Sequence, residues 1–288
     1  MQLTEVGLDA EPVLLRLMSV AFPDRPSQFW QDGFARMSAH GPSRHIAWLL
    51  GDPENPDGVM LALPNPVTGV PSTQATTQIN LSSWYVSEDK RGQALWMLRK
   101  IASRKNTIFT DLTPTESVVR MLPALGFKPV SAGLVRLFVP QVARRNHSNW
   151  QILNDSATIE HTTDPVLAGA LRDHRQLGCM VAGLCWQGRC FPVVLARRWR
   201  RGLIPTAEII YLPVAPADMP DLRDAIPALA AHLLRSGVLF LELEQALQTE
   251  RALTIPHRLV NPNARYARGP YLQGGINHLY SEFVFFKL

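Results

Sequence analysis

Little in this sequence points to a metal, a membrane or a disulfide-stapled scaffold. The 288 residues include three cysteines, Cys179, Cys185 and Cys190. The count is odd and there is no C-x-x-C spacing, which argues against a zinc site and against a disulfide framework. Cys185 and Cys190 flank a Gln187-Gly188 turn and could face each other across a hairpin, but the simpler reading is of buried small apolar residues. The eight histidines form no H-x-x-H or H-E-x-x-H pair, so no metal is expected. No apolar run approaches the roughly 20 residues of a bilayer span. The start, Met1 to Val6, lacks the basic and apolar segments of a signal peptide. A soluble, cytoplasmic protein is expected. Charge is not one-sided either: 29 basic against 24 acidic residues leave +5, too small a surplus to indicate nucleic acid by itself. Arg far outnumbers Lys, and its forked guanidinium favours a phosphate or carboxylate ligand. The dense run Arg197-Arg198-Trp199-Arg200-Arg201 reads as a solvated hairpin end in preference to a phosphate or lipid contact.

What is there is the composition of a packed chain, 46% apolar and 18% charged, long enough for two domains. Composition shifts near Pro140. Residues 141–150 are polar, basic and poorly periodic, so they read as a linker between domains spanning 1–140 and 151–288. The first half alternates helix and strand signals: helices at Glu11 to Ala21 and Pro26 to Met37, a hairpin of His45 to Leu50 with Val59 to Leu63, and a strand from Thr77 to Val86. A helix over Gly92 to Arg104 should bury Ala94, Leu95, Leu98, Ile101 and Ala102. After a strand at Thr107 to Asp111, Thr113-Pro114-Thr115-Glu116 has the pattern of a capping box. Gly126 should stop that helix, and Leu134 to Val139 should close the first domain. The second half repeats the order: a helix at Pro165 to Arg175, a hairpin of Met180 to Trp186 with Cys190 to Arg197, a strand at Ala207 to Val214, a helix stopped by Gly237, then strands at Val238 to Glu244 and Leu279 to Phe286.

The stretch with most chemistry is Trp84-Tyr85-Val86-Ser87-Glu88-Asp89-Lys90-Arg91-Gly92-Gln93-Ala94-Leu95. An apolar strand runs into a polar loop with Arg-Gly, and a helix starts at once. This aims backbone N–H groups and the positive end of a helix dipole at any anion over the turn.

With its flanks, this half resembles the GNAT superfamily of acyl-CoA-dependent acyltransferases. The match lies in the strand Ile79 to Val86, in Arg91-Gly92-Gln93-Ala94-Leu95-Trp96 against the family's Q/R-x-x-G-x-G/A signature, and in the closing Leu125-Gly126-Phe127. The resemblance implies an α/β (α+β) fold of two tandem GNAT-like units, each a mixed, mostly antiparallel sheet flanked by helices. It implies acetyl-CoA or another acyl-CoA as co-substrate. Pantetheine would pair with the backbone around Trp84 and Val86, and the pyrophosphate would rest on Arg91, Gly92, Gln93, Ala94, Leu95 and Trp96. Two signature positions depart, Ala94 and Trp96, and Trp96 must point away from the phosphates, onto adenine or a neighbouring helix. The position of the family's frequent acid tyrosine is Leu122.

Acyl transfer to an amine needs a deprotonated amine, a polarised carbonyl and a proton for the thiolate. The catalytic candidates are Ser83 and Tyr85, on the strand, and Asp111, at the end of its neighbour; Glu116 reads as a capping residue. The second half has Pro213 to Pro220 in place of the Arg-Gly loop, which removes phosphate donors. It should cover the cleft and contribute the acceptor site, with Asn261 to Pro270 as a polar surface loop suited to an anionic acceptor. The leading reading is an acyltransferase acting on a small-molecule amine, with oligomers possible and no nucleic acid. A GNAT-derived CoA-binding module without turnover and a FemAB-type aminoacyl transferase are the alternatives.

Overall fold

The computed structural model describes residues 2–42, 45–66, 77–145, 149–200, 202–245, 255–261, 263–271 and 276–288. Its elements begin with β1 (Leu3–Gly7), α1 (Glu11–Ala21), α2 (Ser27–His40), β2 (His45–Gly51), β3 (Pro56–Asn65), β4 (Thr77–Val86), α3 (Ala94–Ala102), β5 (Thr107–Asp111), α4 (Glu116–Met121) and β6 (Lys128–Pro129). Next come β7 (Leu134–Phe138), α5 (Val139–Val142), β8 (Gln151–Leu153), α6 (Asp155–His161), α7 (Pro165–Gln176), β9 (Met180–Trp186), β10 (Arg189–Arg200) and β11 (Ile204–Tyr211). The last are α8 (Ile226–Arg235), β12 (Phe240–Glu244), β13 (Arg258–Asn261), β14 (Tyr266–Arg268) and α9 (Glu282–Phe285).

The strands form two sheets of seven, ordered β1-β2-β3-β4-β5-β14-β6 and β13-β7-β12-β11-β10-β9-β8. Each has a parallel pair, β4 with β5 and β11 with β12, and the adjoining strands on both sides run antiparallel. This is the expected α/β arrangement of mixed, mostly antiparallel sheets flanked by helices.

The two compact units divide differently from the expected domains. One comprises Met1–Lys128, Arg265–Tyr271 and Tyr280–Leu288; the other comprises Pro129–Ala264 and Leu272–Leu279. Leu134 to Phe138 does not close the first sheet, because Val135 and Leu137 bury in the second core and β7 lies between β13 and β12. The first sheet instead takes β14, late in the chain, beside β5. The segment read as a linker helps build the second core: Val139 and Val142 of α5, and Trp150, are buried there. Residues 146–148 of that segment, Arg201 of the arginine run and Pro262 of the polar loop lie outside the described residues.

Local chemistry explains the remaining differences. Cys185 and Cys190 pair directly across the β9–β10 hairpin, whose Gln187 and Gly188 have φ of 48° and 79°. A two-residue turn with positive φ sets that register, and it brings the sulfurs into a disulfide where buried small apolar residues were expected; Cys179 takes no part in it. Leu279 to Phe286 is not a strand but runs into the helical turn α9, with Phe283, Val284 and Phe285 buried. Gly126 does stop its helix, with φ of 78°.

Candidate active site

In the first unit, β4 and β5 pair in parallel from Thr77–Thr107 to Leu81–Asp111. There β5 ends, but β4 continues to Val86 while staying paired with β3 on its other side. The β3 register slips between Met60–Trp84 and Leu61–Ser82, so Ser83 is an extra residue in β4, with φ of 47°. A bulge bends the strand and raises its twist. Beyond Leu81 the edge of β4 that faced β5 therefore has no strand beside it among the described residues.

A cavity of about 220 Å³ lies at this divergence. Ser82, Ser83 and Trp84 of β4 line it with Asp111 and Thr113, and Phe22, Phe29 and Trp30 supply aromatic walls. The rings of Trp30 lie 4.9 Å from Phe29 and 5.4 Å from Phe286. The cavity thus gathers three residues singled out by sequence, Ser83, Trp84 and Asp111. Tyr85 does not line it, and Val86 is buried in the core of the unit.

Behind Asp111 lies a buried polar cluster. Glu282 is fully buried and accepts hydrogen bonds from the Asn80 amide and from Thr113 Oγ1 at 3.1 Å; Thr110 Oγ1 donates to Asn80 Oδ1 at 3.2 Å. Thr113 also binds Asp111 through its backbone. Desolvation, then the charge of Glu282, pushes the Asp111 carboxyl up to about 8. Desolvation raises Glu282 as well, against the donors of Asn80 and Thr113 and the charge of Arg265. Two carboxyls in one dry site cannot both ionise cheaply. No sequence pattern announced Glu282, which is 202 positions from its partner Asn80.

The Arg-Gly loop forms a turn of 3₁₀ helix over Glu88–Gln93 and leads into α3. No described side chain caps either helical start; within the loop the Lys90 N–H donates to the Ser87 carbonyl and the Ala94 N–H to the Arg91 carbonyl. Arg91 is exposed, 3.9 Å from Glu88. A Cβ at Gly92 would meet nothing within 4 Å, and its φ is not left-handed, so local packing does not demand glycine there. Trp96 and Ala94 pack on the core, which turns Trp96 inward onto its own unit. Leu95, expected to be buried, is 45% exposed, and Met97 takes its place in the core.

No protein-family model matches the chain, and no curated protein matches its sequence. Solved structures do. A probable N-acyltransferase from Enterococcus faecalis V583 superposes with a TM-score of 0.56 at 13% identity, over 93% of this chain and 72% of its own. A tandem GNAT protein from the clavulanic acid biosynthesis pathway gives 0.51 at 11% identity, over 93% and 99%. A GCN5-related N-acetyltransferase from Kribbella flavida gives 0.50 at 9% identity, over 93% and 71%. The chain has the tandem GNAT fold.

Set in that fold, three sequence expectations change. The capping box does not form: α4 starts at Glu116, Thr113 Oγ1 is committed to Glu282, and Glu116 pairs with Arg120. Asn261 to Pro270 is not a surface loop, since Arg265 is 4% exposed and Tyr266–Arg268 is a sheet strand. The donors offered to an acceptor are used internally, Arg268 reaching the Leu125 carbonyl at 2.8 Å and Arg265 stacking on Phe283. Leu122, where the resemblance would place a tyrosine, is wholly buried. Among the described residues no group of His, Cys, Asp and Glu could hold a metal, and no helix is long and apolar enough to cross a membrane.

Proposed function

We propose that the first unit transfers an acyl group, acetyl foremost, from a CoA thioester to a small-molecule amine. The observation that carries this is the divergence of β4 from β5 at a bulge, opening onto a cavity that holds a desolvated aspartate. The unpaired edge of β4 at Trp84 to Val86 would hold pantetheine as an added strand. The Arg91 guanidinium and the loop from Arg91 to Trp96 would hold the pyrophosphate. The open space above Gly92 fits that approach.

The CoA thioester supplies an activated acyl carbon; the chain supplies position and proton transfer. Asp111 is the base. Its carboxylate accepts a proton from the incoming ammonium, and the free amine then attacks the thioester carbonyl. The C–N bond forms as the C–S bond breaks, and the proton that the new amide nitrogen sheds passes to the departing thiolate through Ser83, or through water held by Ser82 and Ser83, whose hydroxyls lie 3.4 Å apart. A base with a pKa near 8 matches an amine close to its own ionisation range.

The test is titration calorimetry with acetyl-CoA, then thiol release across a panel of amines. Binding that Arg91→Glu weakens at least about tenfold, with amine-dependent thiol release, is expected. Absence of binding by any CoA ester overturns the reading. Binding without thiol release for any amine reduces the unit to a CoA-binding module.

A further inference from the structure

The second unit carries a surface unrelated to the cavity. At one end of its sheet β7 finishes and β12 begins, with the Phe138 and Phe240 rings 5.5 Å apart. Leu239 donates its N–H to the Pro205 carbonyl, and Pro205 pairs with Trp199 across β10 and β11. The β10–β11 hairpin turns just beyond, at Gly202 and Leu203. Here the chain exposes large apolar side chains: Leu203 is 81% exposed and Trp199 60%, with Phe138, 45% exposed, on the other face of the sheet.

The charges around them have one sign. Arg197 reaches across Trp199 to the Ser236 carbonyl; Arg200 and Arg136 lie on the other face of the sheet, ion-paired with Glu242. Arg144, Arg145, Arg235 and Arg258 are exposed on the adjoining segments. The acids of the described residues 134–145, 197–208, 232–242 and 255–261 are Glu208 and Glu242, both fully buried. An arginine field around exposed Trp and Leu does not suit a second copy of the same face, which would set Arg against Arg. Aliphatic tips such as Leu203 offer no plane on which a base would stack. A bilayer surface meets both features: Trp and Leu enter the headgroup boundary, and the arginines hold anionic phosphates.

We infer that the β10–β11 hairpin end of the second unit docks the protein peripherally on anionic lipid membranes, with Trp199 and Leu203 entering the interface and Arg197 among the residues holding lipid phosphates. Large exposed apolar patches are otherwise uncommon on soluble proteins.

The test is co-sedimentation of the full chain with phosphatidylcholine vesicles made with and without phosphatidylglycerol. Expected is binding that requires the anionic lipid, weakens with added salt, and falls about tenfold or more in Leu203→Glu and in Arg197→Glu. Both side chains are exposed, so both variants should keep the wild-type melting temperature, and Trp199→Phe gives a second, milder probe. Indole fluorescence should shift to the blue on vesicle binding in the wild type and much less in Trp199→Phe. No binding to anionic vesicles, equal binding to neutral ones, or undiminished binding by Leu203→Glu overturns the inference. So does retention of a single-stranded oligonucleotide without vesicle binding, or a dimer in sedimentation that Leu203→Glu dissolves.

Discussion

The two units build the same parallel strand pair and finish it in opposite ways. In the first, β4 outruns β5 at a bulge and its free edge borders a cavity. In the second, β11 outruns its pairing with β12 at Glu208–Glu242, and the carbonyl of Ile210 is taken by the N–H of His278. In the first, the helical turn after the strand starts without a side-chain cap. In the second, Asp221 caps the corresponding turn, accepting from the Arg223 N–H at 2.9 Å and gripping its guanidinium. A protein carboxylate thus sits where an anionic ligand would. The buried acids differ likewise. Glu242 has Arg136 and Arg200, Glu208 has Arg198 at 2.9 Å, whereas Asp111 and Glu282 face each other. The second unit closes this strand edge and caps this turn with its own groups, and the first has no such closing strand or side-chain cap among the described residues.

The sharpest way to break this contrast is Asp111→Asn. With the base gone, kcat/KM for amine-dependent thiol release should fall about 10²–10⁴-fold while acetyl-CoA binding persists. In the wild type, activity should rise with pH and level off above about 8, since the carboxyl must ionise to accept a proton; a profile that falls over this range would make Asp111 an acid instead. Glu282→Gln removes a like charge, so the rising limb should move to lower pH. Stability follows the same sign. The folded-state pKa of Asp111 is raised, so its contribution is full below the unfolded value near 3.8 and is lost as pH climbs through about 8. Asp111→Asn should therefore melt above wild type at pH 9, and the gap should narrow as pH falls toward the unfolded value near 3.8.

In the second unit the arginines are the place to intervene. Arg198→Met removes the ion-pair partner of Glu208, which is fully buried, and should cost about 3–5 kcal/mol in urea unfolding. Glu242 shows the opposite pH sign to Asp111. Against desolvation, Arg200 and Arg136 hold it below the usual carboxylate range. Its stabilisation is present at neutral pH and lost as pH falls through that lowered value. Calorimetry should find acid weakening the second unit and alkali weakening the first; the same pH trend in both would undo the comparison.

The contrast also shows how far sequence reaches. The strand Thr77 to Val86, the strand Thr107 to Asp111 and the hairpin β9–β10 were legible because local apolar pattern and turn residues fix them. The Arg-Gly loop was legible because strand, loop and helix are contiguous. Which sheet a strand joins was not: β7 goes with α5 into the second unit, and β14 leaves its sequence neighbours for the first, where Ala267 is fully buried as Leu137 is in the second. Glu282 was invisible for the same reason. Its chemistry depends on Asn80 and Thr113, brought to it only by the completed fold, and the apolar residues around it read as a strand. Thr113 read as a cap because its local spacing fits one, yet the fully buried carboxyl of Glu282 claimed its hydroxyl.

Two glycines within helices carry the comparison to its smallest scale. A Cβ on Gly33 of α2 would run into the ring of Phe286, which is 2% exposed and held by Phe29, Trp30 and Phe34. Gly33→Ala should cost about 1–3 kcal/mol through overpacking. Because Phe286 follows α9 directly, the variant should also disturb Glu282 and move the alkaline limb of the activity profile. A methyl group on Gly169 of α7 would meet nothing within 4 Å, and the φ there is not left-handed. Alanine at that position only restricts the unfolded chain and improves helix propensity, so Gly169→Ala should stabilise the second unit by about 0.5–1 kcal/mol and leave thiol release unchanged. If instead both substitutions proved neutral, Phe286 would not be locked against α2, and the rigid seating of Glu282 behind Asp111 would lose its support.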